Sequence, residues 1–362
     1  MKAAVFYESG KPLAIEDVCV KKPGPREVLV RTRAAGLCHS DLLMMEGAFP
    51  WPLPTIPGHE ASGVVEQVGS EVTYVKPGDH VITCLTVFCG CCAMCTTGRP
   101  VLCSSTEIRL PPGVADRFHW ERREKLSQFV NVSAFAEQML VHENALVKIR
   151  EEMPLDLAAL IGCAIITGYG AVVNTANVRP GETVAIIGCG GVGMAAINAA
   201  KISGAGRIIA IDTNPAKLRI AATLGATDLV NASEVDPVAQ VKELTDGAGV
   251  PHSFEVLGSK STAEQAFAML AQGGSATILG IMPLGTKIEL HGIDFIRERR
   301  IQGSYMGSSH IRVDMPRLVD FYLSGQLKLE HWVTARITLQ DVNVGFAKMK
   351  SGTVLRSLIE FN

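Results

Sequence analysis

Apolar residues before position 160 fall in short β-like runs cut by glycine and proline. They are 27–33 (EVLVRTR), 63–68 (GVVEQV) and 80–84 (HVITC), the last preceded by a turn at KPGDH. From about 165 the pattern changes to apolar strands alternating with longer helical runs. Strand Thr183–Ile187 (TVAII) leads into a small-residue helix from Gly191, and strand Arg207–Asp212 (RIIAID) into a helix from Pro215, with DLVN following. This alternation predicts a parallel sheet with crossover helices. Further strands are expected at HSFEVL, SATILG and RRIQGSY, with a helix over 261–270. Beyond them the pattern predicts one helix, 315–324, and a closing strand, SLIEF. The polar stretch 104–130, with PPG and ERREK, reads as a long loop or lobe on the first domain.

A chain of 362 residues, 47% hydrophobic, is long enough for two domains with separate cores. Its formal net charge of −2 argues against electrostatic binding to nucleic acid or to an anionic membrane. No uninterrupted apolar run of about 18 or more residues is present, so no spanning helix is expected. The N-terminal stretch lacks a secretory signal pattern. A cytoplasmic protein is expected, whose ten cysteines are thiols and metal ligands rather than disulfides.

Chemistry enters at three places. Gly188-x-Gly190-x-x-Gly193 sits between strand and helix, where glycines allow a tight turn and close approach of a pyrophosphate to free helix N–H groups. Asp212 ends the next strand, where an acid can bind a ribose 2′-OH and repel a 2′-phosphate, favouring NAD over NADP. The alternative for Asp212 is a helix cap ahead of Pro215. Next, Cys89, Cys92, Cys95 and Cys103 are spaced C-x2-C-x2-C-x7-C on a turn-rich segment, as for a closed tetrahedral zinc shell. Cys91 breaks that spacing and is read as a bystander. Lastly, Cys38 in GLCHSD, His59 and Glu60 in PGHE, and Cys163 in IGCAIITGYGA are metal-ligand types that spacing alone cannot join.

Taken in order, GLCHSDLLMMEG, PGHEASGVVEQVG, KPGDHV, the four-cysteine run, IGCAIITGYGA and GCGGVG resemble the zinc-dependent medium-chain alcohol dehydrogenases of the long-loop, two-zinc type. The resemblance covers essentially the whole chain. It implies an α/β two-domain fold: an irregular, mainly-β, GroES-like catalytic domain and a Rossmann domain with a doubly wound parallel sheet. The expected boundaries are 1–164 for the catalytic domain, with a structural-zinc lobe at about 87–105. The NAD-binding domain is expected over 165–305, and 306–362 returns to the catalytic domain.

The resemblance also implies roles. Cys38, His59 and Cys163 would hold a catalytic zinc with one position open, and Cys89, Cys92, Cys95 and Cys103 a structural one, giving NAD and two zinc ions per chain as cofactors. Asp41 would orient the imidazole, and Glu60 would lie beside the metal. Ser40 would take the proton of the alcohol; its alternative is a helix N-cap. His39 and Arg356 would contact the cofactor pyrophosphate, and Lys217 the adenosine ribose, unless it lies on a solvated helix face. Thr167 would pack the nicotinamide, and Gly191, Val192 and Ile281 complete the cofactor-binding set. The implied reaction moves the carbinol hydride to the nicotinamide. Many relatives end the proton relay at a histidine three residues beyond Ser40. This chain has Leu43 there, so the relay is expected to end at the ribose, water or His39.

Phe49 and Trp51 in GAFPWPLP, with Leu85 and Phe135, fall where family members line the substrate pocket. An apolar, partly aromatic pocket favours medium-sized or aryl primary alcohols and their aldehydes. Phe49 and Trp51 have a plainer alternative, packing of their loop. A glutathione-type formaldehyde dehydrogenase is the alternative enzyme, although that branch carries an acid in the stretch where this chain reads GAFPWPLP. A non-catalytic zinc-binding protein is the alternative from another class; it should lack the open ligand set. A homodimer is expected, with a tetramer as the other state, joined along the strand at 300–305.

Overall fold

The computed structural model describes residues 1–120 and 125–362; residues 121–124, the ERRE of the charged excursion, lie outside the described residues. Two compact units form, Met1–Cys163 with His310–Asn362, and Ala164–Ser309.

The first unit is built on a seven-stranded sheet. Its central strand, Glu27–Gly36, is rich in β-branched and small residues and is buried along most of its length. It pairs antiparallel with Glu60–Val68 on one side. On the other it meets Gln138–His142 over its first half and Arg356–Glu360 over its end. The ladders finish at Gly36↔Glu60 and Gly36↔Leu358. Three segments distant in sequence therefore converge at Gly36, just before Cys38, just after His59 and near Arg356. Glycine is needed there, because a Cβ would lie 2.4 Å from Glu60 Oε2.

Phe6, Phe129, Phe135, Met139 and Leu146 are fully buried in this unit's core, each stabilising by roughly 1.5–3 kcal/mol relative to exposure. The long excursion is anchored at both ends. Phe118–His119 pairs with Cys19–Val20, and Ser127–Gln128 with Thr55–Ile56. The returning helix Ile311–Leu323 is fastened by Arg312, whose Nη2 donates to Glu143 O and Asn144 Oδ1 (3.0 Å each) while its guanidinium stacks 3.5 Å from the Tyr74 ring centroid.

The second unit is a six-stranded parallel sheet. Its order is Asp228–Asn231, Arg207–Asp212, Thr183–Ile187, Val250–Glu255, Leu270–Ile278, Arg300–Gly303. Thr183–Ile187 pairs with both Arg207–Asp212 and Val250–Glu255, so the strand order reverses at its carboxyl end. Such a switch point is where open α/β sheets bind ligands.

Several expectations change. The helix expected over 261–270 is Lys260–Ala268, and Leu270 already starts the next strand. The helix expected over 315–324 begins earlier, at Ile311, and accommodates Pro316 in its interior. Helices Pro237–Leu244 and Val342–Lys350 and strand Val333–Ile337 have no counterpart in the sequence reading.

Most consequential is a 21-residue helical stretch, Leu155–Thr175, long and apolar enough by length and composition to cross a membrane. Its most apolar window is 89% buried, the condition of a core helix. Buried all round, it shows no amphipathic period, and its glycines, Thr167 and Asn174 break the apolar run.

His142 closes the strand Gln138–His142 and is 7% exposed. Its Nδ1 accepts from the Asn144 N–H at 3.0 Å. Burial, with the nearby Arg26 guanidinium, pushes its pKa down to about 4. An unfolded histidine titrates near 6.5, so the unfolded chain binds the proton first and stability is lost as pH falls through that window. His142→Asn should therefore flatten the pH dependence of unfolding between about 6.5 and 4, by on the order of 2 kcal/mol. Urea midpoints of both proteins at pH 7 and 4.5 check this; equal slopes would contradict it.

Candidate active site

Cys38 is the N-cap of the short helix His39–Met45, and Asp41 sits at its third position. Asp41 Oδ2 accepts from the Cys38 N–H at 3.2 Å, while Oδ1 accepts from the Gly58 N–H at 3.1 Å and from His59 Nδ1 at 3.0 Å. With Nδ1–H committed to the carboxylate, Nε2 is the free ring nitrogen. It lies 3.2 Å from Ser40 Oγ, which also donates to Cys38 Sγ at 3.2 Å. Ser40 is thus not the cap of this helix; Cys38 is, and the Ser40 hydroxyl is turned to the ligand set. Gly58 has φ +90°, and a Cβ there would meet the Phe135 ring at 2.5 Å, so the turn before His59 requires glycine.

Cys163 arrives from a π-helical turn, Ile161–Ile165, a local widening that recurs at functional sites. The ligand atoms of Cys38, His59, Glu60 and Cys163 lie within 4.8 Å of one another, all buried. The hydrogen bond from Cys163, together with His59, holds the Cys38 thiol well below its ordinary value, whereas Cys163 is held well above. For His59, burial alone would lower the pKa, but the Asp41 carboxylate and the Cys38 thiolate raise it. Two thiolates and an imidazole are a donor set that suits zinc.

Glu60 is wholly buried, and burial pushes its carboxyl up to about 8 despite Arg356 Nη1 at 3.3 Å. Arg356 is itself 6% exposed and donates to Leu37 O at 2.9 Å. His39, by contrast, is exposed, and Leu43 is half-buried one turn along the helix.

In the lobe, Cys89, Cys92, Cys95 and Cys103 bring their sulfurs within 4.8 Å of one another. Cys89 Sγ accepts from the N–H groups of Cys91 (3.4 Å) and Cys92 (3.2 Å), and Cys103 Sγ from that of Cys89 (3.3 Å). Backbone N–H groups of Cys95 and Ser104 pull the Cys92 thiol down to about 5, while burial pushes Cys95 up to about 12. Cys91 is exposed and stands outside the group. Among the described residues every cysteine is a free thiol.

The second unit carries the glycine turn. Gly188 has φ +104°, a Cβ on Gly193 would lie 1.8 Å from Gly188 O, and a Cβ on Gly190 would meet nothing within 4 Å. Gly190 caps the helix Gly191–Ile202, so open space faces the helix N–H groups at Gly191 and Val192, a fit for a pyrophosphate. Asp212 is not a helix cap: Asn214 caps Pro215–Leu224. Asp212 instead accepts from Cys189 N at 2.7 Å and Asn214 N at 2.8 Å, which fixes its carboxylate at the strand end. Lys217 is half-buried in that helix, and Ile281 is 50% exposed. Thr167 is buried, with its hydroxyl donating to Met306 Sδ at 3.4 Å.

The apolar wall near His59 differs from expectation at two residues. Phe129, which sequence reasoning missed, lies with its ring 6.1 Å from His59 and 4.9 Å from Trp51, edge to face with both. It precedes a tight turn with Val130, Asn131 and Ser133 at positive φ, and only the asparagine and serine hint at that turn in the sequence. Phe135 has no exposed surface. It packs behind Gly58 and against Phe346, 5.9 Å between rings, and so supports the ligand turn rather than lining a pocket. Phe49, Trp51 and Leu85 are partly buried against the same core.

A GroES-like unit bearing a buried Cys2His set, and a parallel-sheet unit bearing a dinucleotide turn, define a zinc-binding dehydrogenase. A zinc-binding dehydrogenase family model matches residues 191–324 and an alcohol dehydrogenase GroES-like domain model residues 24–151. The chain is 38% identical to S-(hydroxymethyl)glutathione dehydrogenase of Synechocystis sp., over 99% of both chains. It is 37% identical to alcohol dehydrogenase 1 of Trifolium repens, over 99% of this chain and 96% of that one. The solved benzyl alcohol dehydrogenase of Acinetobacter calcoaceticus superposes with a TM-score of 0.93 at 33% identity, covering 100% of this chain and 99% of that one. The chain belongs to the zinc-dependent medium-chain alcohol dehydrogenase family. It is an oxidoreductase of small alcohols or aldehydes.

Removing the charge that orients His59 should loosen the metal. Asp41→Asn is expected to weaken zinc retention about 10–100-fold, and Cys91→Ser to leave it unchanged. Competition with a chromogenic chelator measures both; undiminished retention in Asp41→Asn contradicts the assignment.

Proposed function

We propose that the chain is an NAD-linked alcohol dehydrogenase with two zinc ions per chain, oxidising medium-sized apolar or aryl primary alcohols to aldehydes and catalysing the reverse. The observation carrying the substrate reading is the partly buried apolar set Phe49, Trp51 and Leu85, with Trp51 packed edge to face on the fully buried Phe129 beside His59. Such a wall binds an aryl or medium alkyl group by burial and offers nothing to a charged one.

When bound, zinc supplies Lewis acidity to the alcohol oxygen and NAD supplies the hydride acceptor. The protein's part is to hold groups still. Cys38, His59 and Cys163 would hold the catalytic zinc, and Asp41 keeps the His59 Nδ1 proton in place, leaving Nε2 as the ligand. Ser40 Oγ, 3.2 Å from both Cys38 Sγ and His59 Nε2, is the hydroxyl placed to take the alcohol proton. Leu43 offers no titratable group beyond it, so the proton leaves through the cofactor ribose, water or the exposed His39.

The Asp212 carboxylate supports NAD, since it would repel a 2′-phosphate. Cys89, Cys92, Cys95 and Cys103 would close a structural site with no open position. The domain limits 1–164, 165–305 and 306–362 are part of this reading, as is a cytoplasmic setting, which suits ten unpaired cysteines. A homodimer is supported by the edge strand Arg300–Gly303 and the exposed Ile293 and Ile296 (62% and 79%). Together they offer an unpaired ladder and apolar surface to a second copy.

The second reading, oxidation of S-(hydroxymethyl)glutathione, is favoured by the name of the Synechocystis relative. Against it stands the lack of acid in GAFPWPLP; the nearest, Glu46, is ion-paired with Lys350 at 2.7 Å.

A panel of benzyl, allylic, short and long primary alcohols and S-(hydroxymethyl)glutathione, each with NAD and with NADP, tests the proposal. Benzyl alcohol with NAD should exceed ethanol in kcat/KM by about tenfold or more, equivalent to about 1.4 kcal/mol. A clear preference for the glutathione adduct, or for NADP, would overturn it.

A further inference from the structure

Glu255 ends the strand Val250–Glu255 at the switch point of the second unit's sheet, in register with Ile187. It is completely buried. Three donors converge on Oε1: the N–H groups of Leu257 (2.8 Å) and Gly258 (2.7 Å) and the hydroxyl of Thr262 (2.8 Å). Oε2 is buried and has no hydrogen-bond partner among the described residues. Removing a carboxylate from water in this way is costly, and an apolar residue would fill the space at less expense. The group's return must lie in what it holds.

It holds two loops. The side chain fixes residues 257–262, while the Glu255 carbonyl accepts from the N–H groups of Leu279 (2.8 Å) and Gly280 (3.2 Å). The loops touch backbone to backbone. A Cβ on Gly280 would lie 2.0 Å from Gly258 N, and one on Gly258 (φ +83°) 2.4 Å from Ile281 O. The 257–262 loop reaches the glycine turn, since a Cβ on Gly188 would meet Leu257 Cδ2 at 2.9 Å, and the 279–281 loop packs on it through Gly258. Leu257 and Ile281, one on each loop, are large apolar residues left 58% and 50% exposed. Exposed apolar side chains on loops so firmly fixed are surfaces presented to a ligand.

We infer that Glu255 is a positioning residue of the dinucleotide site, its buried carboxylate fixing the 257–262 loop against the 279–281 loop that its backbone carbonyl holds, so that Leu257 and Ile281 form an apolar clamp for the bound nucleotide. It acts through these loops and touches no reacting atom. The inference rests on the reading of the glycine turn as a nicotinamide-nucleotide site. Pre-set loops spare the nucleotide the cost of ordering them, so loosening the clasp weakens binding without touching the alcohol site.

The test compares the full-length zinc-loaded protein with Glu255→Gln and Thr262→Val, measuring NADH affinity by fluorescence titration and amide exchange by mass spectrometry. Glu255→Gln keeps the shape but loses the charge on bonds to three donors, and should weaken NADH binding about tenfold. Thr262→Val removes one neutral bond and should weaken it about threefold. Amides of 257–262 should exchange faster in both free variants and slow again with NADH. The KM for alcohol at saturating NAD should stay within about twofold. NADH binding within about twofold of the parent in both variants, or weakened binding with unchanged exchange in 257–262, overturns the inference. Where Glu255→Gln does not fold, Thr262→Val alone decides by the same criteria. A parent protein that binds no NADH would sink the nucleotide reading itself, an outcome distinct from failure of the clasp.

Discussion

The Asp41 carboxylate is the contact on which the first unit's chemistry depends. Its two oxygens accept from three donors on two separate segments: the Cys38 N–H, the Gly58 N–H and His59 Nδ1. The ladder ending at Gly36↔Glu60 brings those segments side by side, but a strand register fixes backbone, not the rotation of a thiol or an imidazole. Asp41 adds that rotation. Burial pushes its own carboxyl up, against the pull of His59 and Gly58, so the site keeps an expensive buried acid whose partners are all required. The same carboxylate starts the helix that presents Ser40, so the ligand turn and the Ser40 hydroxyl are set by one group.

The two cysteine-bearing sites reach closure by opposite routes. In the lobe, all four sulfurs come from 89–103, and turns at Gly90 and Gly98, both at φ near +80°, fold them together. Neighbouring backbone N–H groups support their negative charge. Little of the remaining structure is needed. At the other site the donors span residues 38 to 163 and meet only through the central strand, the Gly58 turn and the π-helical turn at Cys163. Closed local geometry suits stabilisation, and assembled geometry with three protein ligands suits chemistry.

That contrast decides how much could be read from the sequence. The four-cysteine lobe and the glycine turn were legible because their physics is local: spacing fixes the ligand fold, and strand–glycine–helix fixes the phosphate turn. Cys38, His59 and Cys163 each look like ordinary buried residues, and only the resemblance to a family joined them. Ser40 resembled a cap because serine favours that position. Cys38 took it instead, since Asp41 reaches back to the Cys38 N–H. The resemblance puts Phe135 in the pocket wall but says nothing of the Gly58 turn that buries its ring, and Phe129 carries no local signal of its packing against Trp51 and His59. The helix Leu155–Thr175 was hidden by its own burial, which erases the polar face that reveals a helix.

The most direct measurement is zinc K-edge X-ray absorption on the purified protein, with metal content determined on the same sample. The account predicts two zinc ions per chain and an averaged shell of about three sulfurs at about 2.3 Å and one nitrogen or oxygen at about 2.0–2.1 Å per zinc. That is the mean of a four-sulfur site and a two-sulfur, one-imidazole site with one further light ligand. One zinc per chain with a pure four-sulfur shell would contradict it.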